Sequence, residues 1–182
     1  MRPTLWGAIV AGAVLFGTLP ANAGIINFTA NLAGTNENPP NASPGTGSAF
    51  LSLDDVAQTL LVSLTFSGLT ANDTAGHVHC CAPAGTNVGV VLPFTASTGF
   101  PTGVTAGSFS HTFVLATDLT GITPAAFING LESFQAYVNV HTAPNPGGEI
   151  RGQAIPEPSS LGLLLLGLAP LAAAVRRRRR VR

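Results

Sequence analysis

The chain has no lysine, and charged residues of both signs make up only 9% of its 182 residues. Seven of its eight arginines stand at the two ends: Arg2 at the start, and Arg176, Arg177, Arg178, Arg179, Arg180 and Arg182 at the finish. Between residues 24 and 155, Arg151 alone faces Glu37, Asp54, Asp55, Asp73, Asp118, Glu132 and Glu149, a net charge of −6. An acidic middle excludes nucleic acid as a partner, because neutralising phosphates takes clustered cations on the folded part. Only two cysteines are present, too few for a disulfide framework, and there is one Tyr, one Met and one Trp. Several catalytic signatures are missing as well: no G-x-S-x-G elbow, no H-E-x-x-H, no phosphate-binding loop and no readable pair of glycosidase-like carboxylates. Glycine (21) and proline (14) are abundant and punctuate the middle of the chain.

Both ends read as targeting segments. Met1-Arg2, the apolar run "LWGAIVAGAVLFGTL" and Ala21-Asn22-Ala23 form a secretory signal peptide over residues 1–23, with signal peptidase cutting between Ala23 and Gly24. At the other end "PEPSS" leads into "LGLLLLGLAPLAAAV" (161–175) and then "RRRRRVR". Fifteen apolar residues make roughly 22 Å of helix, short of the ~30 Å hydrocarbon core, and snorkelling arginines narrow the gap. The arginine run stays cytoplasmic, so everything before it lies outside that membrane.

The series Pro156-Glu157-Pro158, apolar helix and arginine cluster resembles the PEP-CTERM sorting signal, over residues 156–182. That resemblance implies a Gram-negative-type bacterium and processing by an exosortase, an integral-membrane transpeptidase-like enzyme that cuts near the motif. The precursor is then anchored transiently in the inner membrane, and the mature form goes to the cell surface, outer envelope or extracellular matrix. The two prolines keep the segment around Glu157 extended and accessible.

Residues 24–155 suffice for one core. Period-two alternation, broken by Gly, Pro, Asn and Asp, predicts strands near 25–33, 47–53, 59–67, 75–80, 89–94, 107–115, 134–142 and 148–154. One helical turn is expected in "TPAAFINGLESF", with Thr123 as N-cap and Pro124 first in the helix. About eight short strands predict an all-β fold, an antiparallel β-sandwich or Greek-key barrel.

Alternation also places the polar residues. In "HVHC", His77 and His79 share one face and Val78 takes the other. In "YVNVH", Tyr137, Asn139 and His141 oppose Val138 and Val140. Closing the hairpin over "APNPG" sets His141 across from Glu149, Val140 from Ile150 and Asn139 from Arg151. Two readings of that polar face stand side by side. In one, the Asn139–Arg151 and His141–Glu149 pairs are structural and pin the register. In the other, His77, His79 and His141 ligate Cu or Zn, with Glu149 orienting the ring of His141. His111, between Phe109 and Phe113, reads as a half-buried structural histidine.

Cys80 and Cys81 are exported to an oxidising compartment. Three states are open to them: a bridge between the two neighbours, bonds between chains, or thiolates joining the histidines around a soft metal.

"NENPPNASPGTGSAFLSL", "LTFSGLTANDTAGHVHC" and "YVNVHTAPNPGGEIRGQ" look like the CHRD domain, across nearly the whole of residues 24–155. The resemblance implies an extracellular β-rich module of surface and matrix proteins without a generally assigned enzymatic activity; the cysteine doublet departs from that pattern. The chain is therefore expected to be a non-catalytic binding or structural module, its partner an extracellular protein or polysaccharide. The alternative is a Cu- or Zn-binding metalloprotein. His-x-His on such a strand is also similar to copper–zinc superoxide dismutase, an arrangement needing more histidines and an aspartate ligand than this chain supplies.

Overall fold

The computed structural model describes residues 24–157; the signal segment 1–23, Pro158, the apolar segment 161–175 and the arginine tail lie outside the described residues. The strands are β1 (Ile25–Ala33), β2 (Thr46–Asp54), β3 (Thr59–Ser67), β4 (Asp73–Cys80), β5 (Val90–Phe94), β6 (Gly107–Val114), β7 (Ala136–Thr142), β8 (Ile150–Gln153) and the two-residue β9 (Ile155–Pro156). Between β6 and β7 lie a single turn, α1 (Leu115–Asp118), and α2 (Pro124–Glu132). Among the described residues no helix is long and apolar enough to cross a membrane.

All the strands belong to one antiparallel sheet, ordered β5-β4-β7-β8-β1-β2-β3-β6, with β9 also on β1. The sheet curls into a half-barrel. Its two end strands face each other through aromatics: Phe94 of β5 and Phe109 of β6 have ring centroids 4.8 Å apart, and Phe100 stands edge-on to Phe109 at 5.5 Å. Side chains, not a hydrogen-bonded ladder, thus fill the seam.

Alternation explains most of the strands. In β3, Leu60, Val62, Leu64 and Phe66 are buried, while Leu61, Ser63 and Thr65 turn outward. They meet Ala49, Leu51 and Leu53 of β2 and Phe109 and Phe113 of β6 through matched registers. Each such side chain contributes about 1.5–3 kcal/mol on full burial. Strand β7 departs from this pattern, since all seven of its residues are buried. Val138 and Val140 face the core as expected. The other face was expected to point to water and does not, because the loop after β1 and the loop after β4 lie across it.

Helix α2 starts as its sequence dictates, with the Thr123 hydroxyl accepting from Ala126 N at 3.3 Å and Pro124 in the first turn. It drives Phe127 and Leu131 into the core. Between them Gly130 lies against Cys80 and Cys81, which are joined in a disulfide; a Cβ at Gly130 would overlap both sulfurs. The start of the sorting motif belongs to the sheet. Pro156 pairs with Phe28, and Glu157 N donates to Asn27 O at 2.8 Å.

Candidate functional site

Strands β4, β7 and β8 are neighbours, and their outward side chains form one polar surface. The register sets His77 opposite Asn139, His79 opposite Tyr137 and Ala75 opposite His141. His141 is therefore the diagonal neighbour of His77, the distance at which long or aromatic side chains still meet across an antiparallel pair. His77 Nδ1 and His141 Nε2 stand 3.1 Å apart. One ring nitrogen from each of His77, His79 and His141 lies within 4.8 Å of the others.

Two backbone carbonyls fix the tautomers. His79 Nδ1 bonds Val88 O at 2.8 Å, and His141 Nδ1 bonds Pro146 O at 3.0 Å. A carbonyl can only accept, so each Nδ1 carries the proton and each Nε2 keeps its lone pair. His79 Nε2 is buried and has no hydrogen-bond partner, and the residue is only 7% exposed. The environment keeps the rings neutral. Burial, then His141 and His79, push His77 down to about 4. Burial also lowers His79 and His141, against the opposing pull of their carbonyl bonds.

A second layer surrounds the rings. Tyr137 stacks on His79 with centroids 4.6 Å apart and planes 5° from parallel. From the β8 side the Arg151 guanidinium lies 3.4 Å from the Tyr137 centroid, a cation–π contact. The Tyr137 hydroxyl contacts both Val88 N (3.3 Å) and Val88 O (3.4 Å), so His79 and Tyr137 hold the same loop residue. Arg151 donates to Thr86 O at 2.9 Å and Asn87 Oδ1 at 3.0 Å, which ties down the rest of that loop.

The sequence expectations for this face need two corrections. Asn139 and Arg151 are Cα partners in the register as expected, but their side chains do not pair with each other. Asn139 donates to both Glu37 oxygens, at 3.1 and 3.3 Å, while Arg151 turns to Tyr137 and the loop. Nor does the Glu149 carboxylate orient His141, whose Nδ1 is held by Pro146 O. It accepts from Ser43 Oγ (2.6 Å), Thr70 N (2.6 Å), Thr70 Oγ1 (2.8 Å), Thr142 Oγ1 and Asn145 Nδ2 (3.3 Å). The cause lies in where β8 begins. Its ladder starts at Ile150, and Gly148 before it has φ +131°, so Glu149 sits outside the pleat to which the alternation was extended.

Cys80 follows His79 on β4 and points to the opposite face. With Cys81 it forms the disulfide against Gly130, so neither sulfur is a thiolate beside the imidazoles. His111 is half-buried between Phe109 and Phe113, on β6. Glu37 escaped the sequence reading, although an acid inside "NENPP" had to find a donor if that loop packed down. Burial pushes it up to about 7, against the lowering pull of Arg151, Asn38 N–H and Asn139.

A family model for the CHRD domain matches residues 28–154. The chain belongs to the CHRD family. A second model, the PEP-CTERM protein-sorting motif, matches residues 154–180 and follows the CHRD domain directly. No curated protein and no solved structure matches the chain. The CHRD match takes in every strand from β2 to β8 and all three clustered histidines. The sorting motif marks the protein for export and exosortase-type processing.

Proposed function

We propose that this exported CHRD protein is a non-catalytic surface or matrix module that binds one transition-metal ion through His77, His79 and His141. A single observation carries the reading: His79 Nε2 is a buried lone pair with no partner, in a ring whose other nitrogen is already locked to a carbonyl. A ring nitrogen tied to a carbonyl while the other faces a cluster of imidazoles is the usual arrangement of a histidine ligand. Two nitrogens each about 2.0 Å from a shared ion stand ~3.3 Å apart, close to the 3.1 Å between His77 Nδ1 and His141 Nε2. Imidazole donors suit copper and zinc. When bound, such an ion supplies a Lewis-acidic or redox-capable centre on the sheet.

The non-catalytic part of the proposal rests on how the carboxyls are employed. Among the described residues the buried acids are Glu37, Asp73 and Glu149. Asn139 holds Glu37, Val104 N holds Asp73, and hydroxyl and amide donors hold Glu149. Each of the three thus accepts at least one hydrogen bond within the fold, and Asp73 alone of them keeps a buried oxygen, Oδ2, without a partner.

The test is metal content of the purified full chain after exposure to Cu or Zn followed by gel filtration. One ion per chain is expected, falling to near zero in His79→Ala and His141→Ala with the fold retained by circular dichroism. A folded wild-type chain that retains no ion overturns the metal reading and leaves a module that binds an extracellular protein or polysaccharide.

A further inference from the structure

The sorting motif begins inside the folded sheet. Its match opens at residue 154, and Ala154 is fully buried, with its N–H donating to Ala136 O of β7 at 2.9 Å. Ile155 and Pro156 then pair with Thr29 and Phe28 of β1, and Glu157 N donates to Asn27 O at 2.8 Å. Ladder bonds in an antiparallel pair fall on alternate residues. With Glu157 bonded to Asn27, Pro156 takes the intervening position opposite Phe28, where an N–H would point away from β1 and a proline gives up no ladder bond. The first two residues of Pro-Glu-Pro are therefore held by β1.

Both ends of the domain leave the sheet at one place. Gly24, where the signal segment read from the sequence stops, donates from its N to Asp55 Oδ1 at 2.7 Å, and Asn27 stands three residues along the same chain. Among the described residues the two most exposed large apolar side chains, Val56 (70%) and Ile25 (61%), are at this end too, since Ile25 pairs with Asp54. From Glu157 to Leu161, where the apolar segment opens, is a step of four residues, at most about 14 Å of extended chain. A membrane-embedded enzyme therefore meets the domain at this end. Proteolysis acts on backbone that has opened from its ladder, because the attacked carbonyl must leave its peptide plane. Resting on the exosortase-type processing that the sorting motif implies, we infer that the cut falls on the C-terminal side of Glu157, so that the mature protein keeps β9 and the Pro156-Glu157 part of the motif as its last strand. One backbone amide breaks. Its nitrogen leaves as the amino terminus of the apolar tail, and its carbonyl carbon takes the hydroxyl of water, or the oxygen or nitrogen of an alcohol or amine acceptor when the enzyme transfers instead of hydrolysing. A cut before Ile155 would instead strip Asn27 O and the neighbouring edge of β1 of their partners.

The test expresses the full chain in a Gram-negative host that carries an exosortase and reads the product by intact-mass and C-terminal peptide mass spectrometry. The expected product includes Glu157, with any acceptor seen as added mass. A product ending at Pro156 or earlier overturns the inference, and one that keeps its arginine tail removes the processing reading beneath it. A second measurement does not depend on the enzyme. Hydrogen exchange on the full chain in detergent is expected to slow the Glu157 amide at least about tenfold against an unstructured peptide of the same sequence. A Glu157 amide exchanging at the peptide's rate would show that β1 does not hold the motif, and overturns the inference equally.

Discussion

Replacing Glu149 by alanine strips the acceptor from five donors at the end of the half-barrel: Ser43 Oγ, Thr70 N, Thr70 Oγ1, Thr142 Oγ1 and Asn145 Nδ2. The residue is 0% exposed, so no solvent stands by to replace it. Hydrogen bonds to a charged group contribute about 1.5–3 kcal/mol each, but they share one desolvation cost and are not additive. A buried cluster deprived of its acceptor typically loses about 3–5 kcal/mol. For a domain of this size that corresponds to a fall in Tm of roughly 10–20 °C. Glu149→Gln keeps the shape but turns one acceptor into a donor facing donors, so its cost falls between alanine and wild type. The pH dependence supplies a second check. Burial pushes this carboxyl up, and the bonds from Ser43, Thr142 and Thr70 outweigh it, leaving the group below its ordinary value. A depressed carboxyl stabilises the fold above its unfolded value and loses that contribution as pH falls through the folded one. The gap between wild type and Glu149→Gln is therefore expected to be full at pH 7 and to close in acid, read by thermal denaturation followed by circular dichroism. A loss below about 1 kcal/mol for Glu149→Ala would refute the reasoning that this carboxylate clamps the β1–β2 segment to the β7–β8 hairpin.

Glu37 titrates in the opposite sense. Because its folded value is raised to about 7, the fold loses stability as pH climbs from the ordinary carboxylate range towards 7, and Glu37→Gln is expected to flatten that slope in the same melting series. Gly130→Ala pushes a methyl into both sulfurs of the Cys80–Cys81 disulfide and is expected to cost about 1–3 kcal/mol by chemical denaturation, whereas an unchanged midpoint would mean α2 does not rest there. Arg151→Lys gives up the planar stack on Tyr137 and the bond to Thr86 or Asn87, and the expected loss is about 2 kcal/mol despite the conserved charge.

How legible this was in the sequence depended on whether a residue's neighbours are local. β1 and β3 occupy the residues that alternation assigns them, and α2 begins at Thr123-Pro124, because period-two burial and capping are decided within a few residues. The Val140–Ile150 and Asn139–Arg151 registers followed from matching apolar faces. The side chains that come to the polar face from elsewhere were not legible. Glu37 arrives across 102 residues to meet Asn139, and Thr86 and Asn87 arrive across about 65 to meet Arg151. Those loops turn an expected outward face into a covered one, which no periodicity within β7 encodes. Glu149 misled for a related reason, since alternation was carried past the end of the paired ladder. Tyr137 did carry a signal: it is the chain's one tyrosine, placed by alternation beside Asn139 and His141.

The state of the imidazole nitrogens tests the central claim most directly. Long-range ¹H–¹⁵N correlation on histidine-labelled full chain at neutral pH reports which nitrogen of each ring is protonated. The expected spectrum shows His79 and His141 with Nδ1 protonated and Nε2 bare, and both Nε2 resonances moving together when one equivalent of Zn(II) is added. A protonated Nε2 on either ring, or resonances indifferent to the ion, would contradict it.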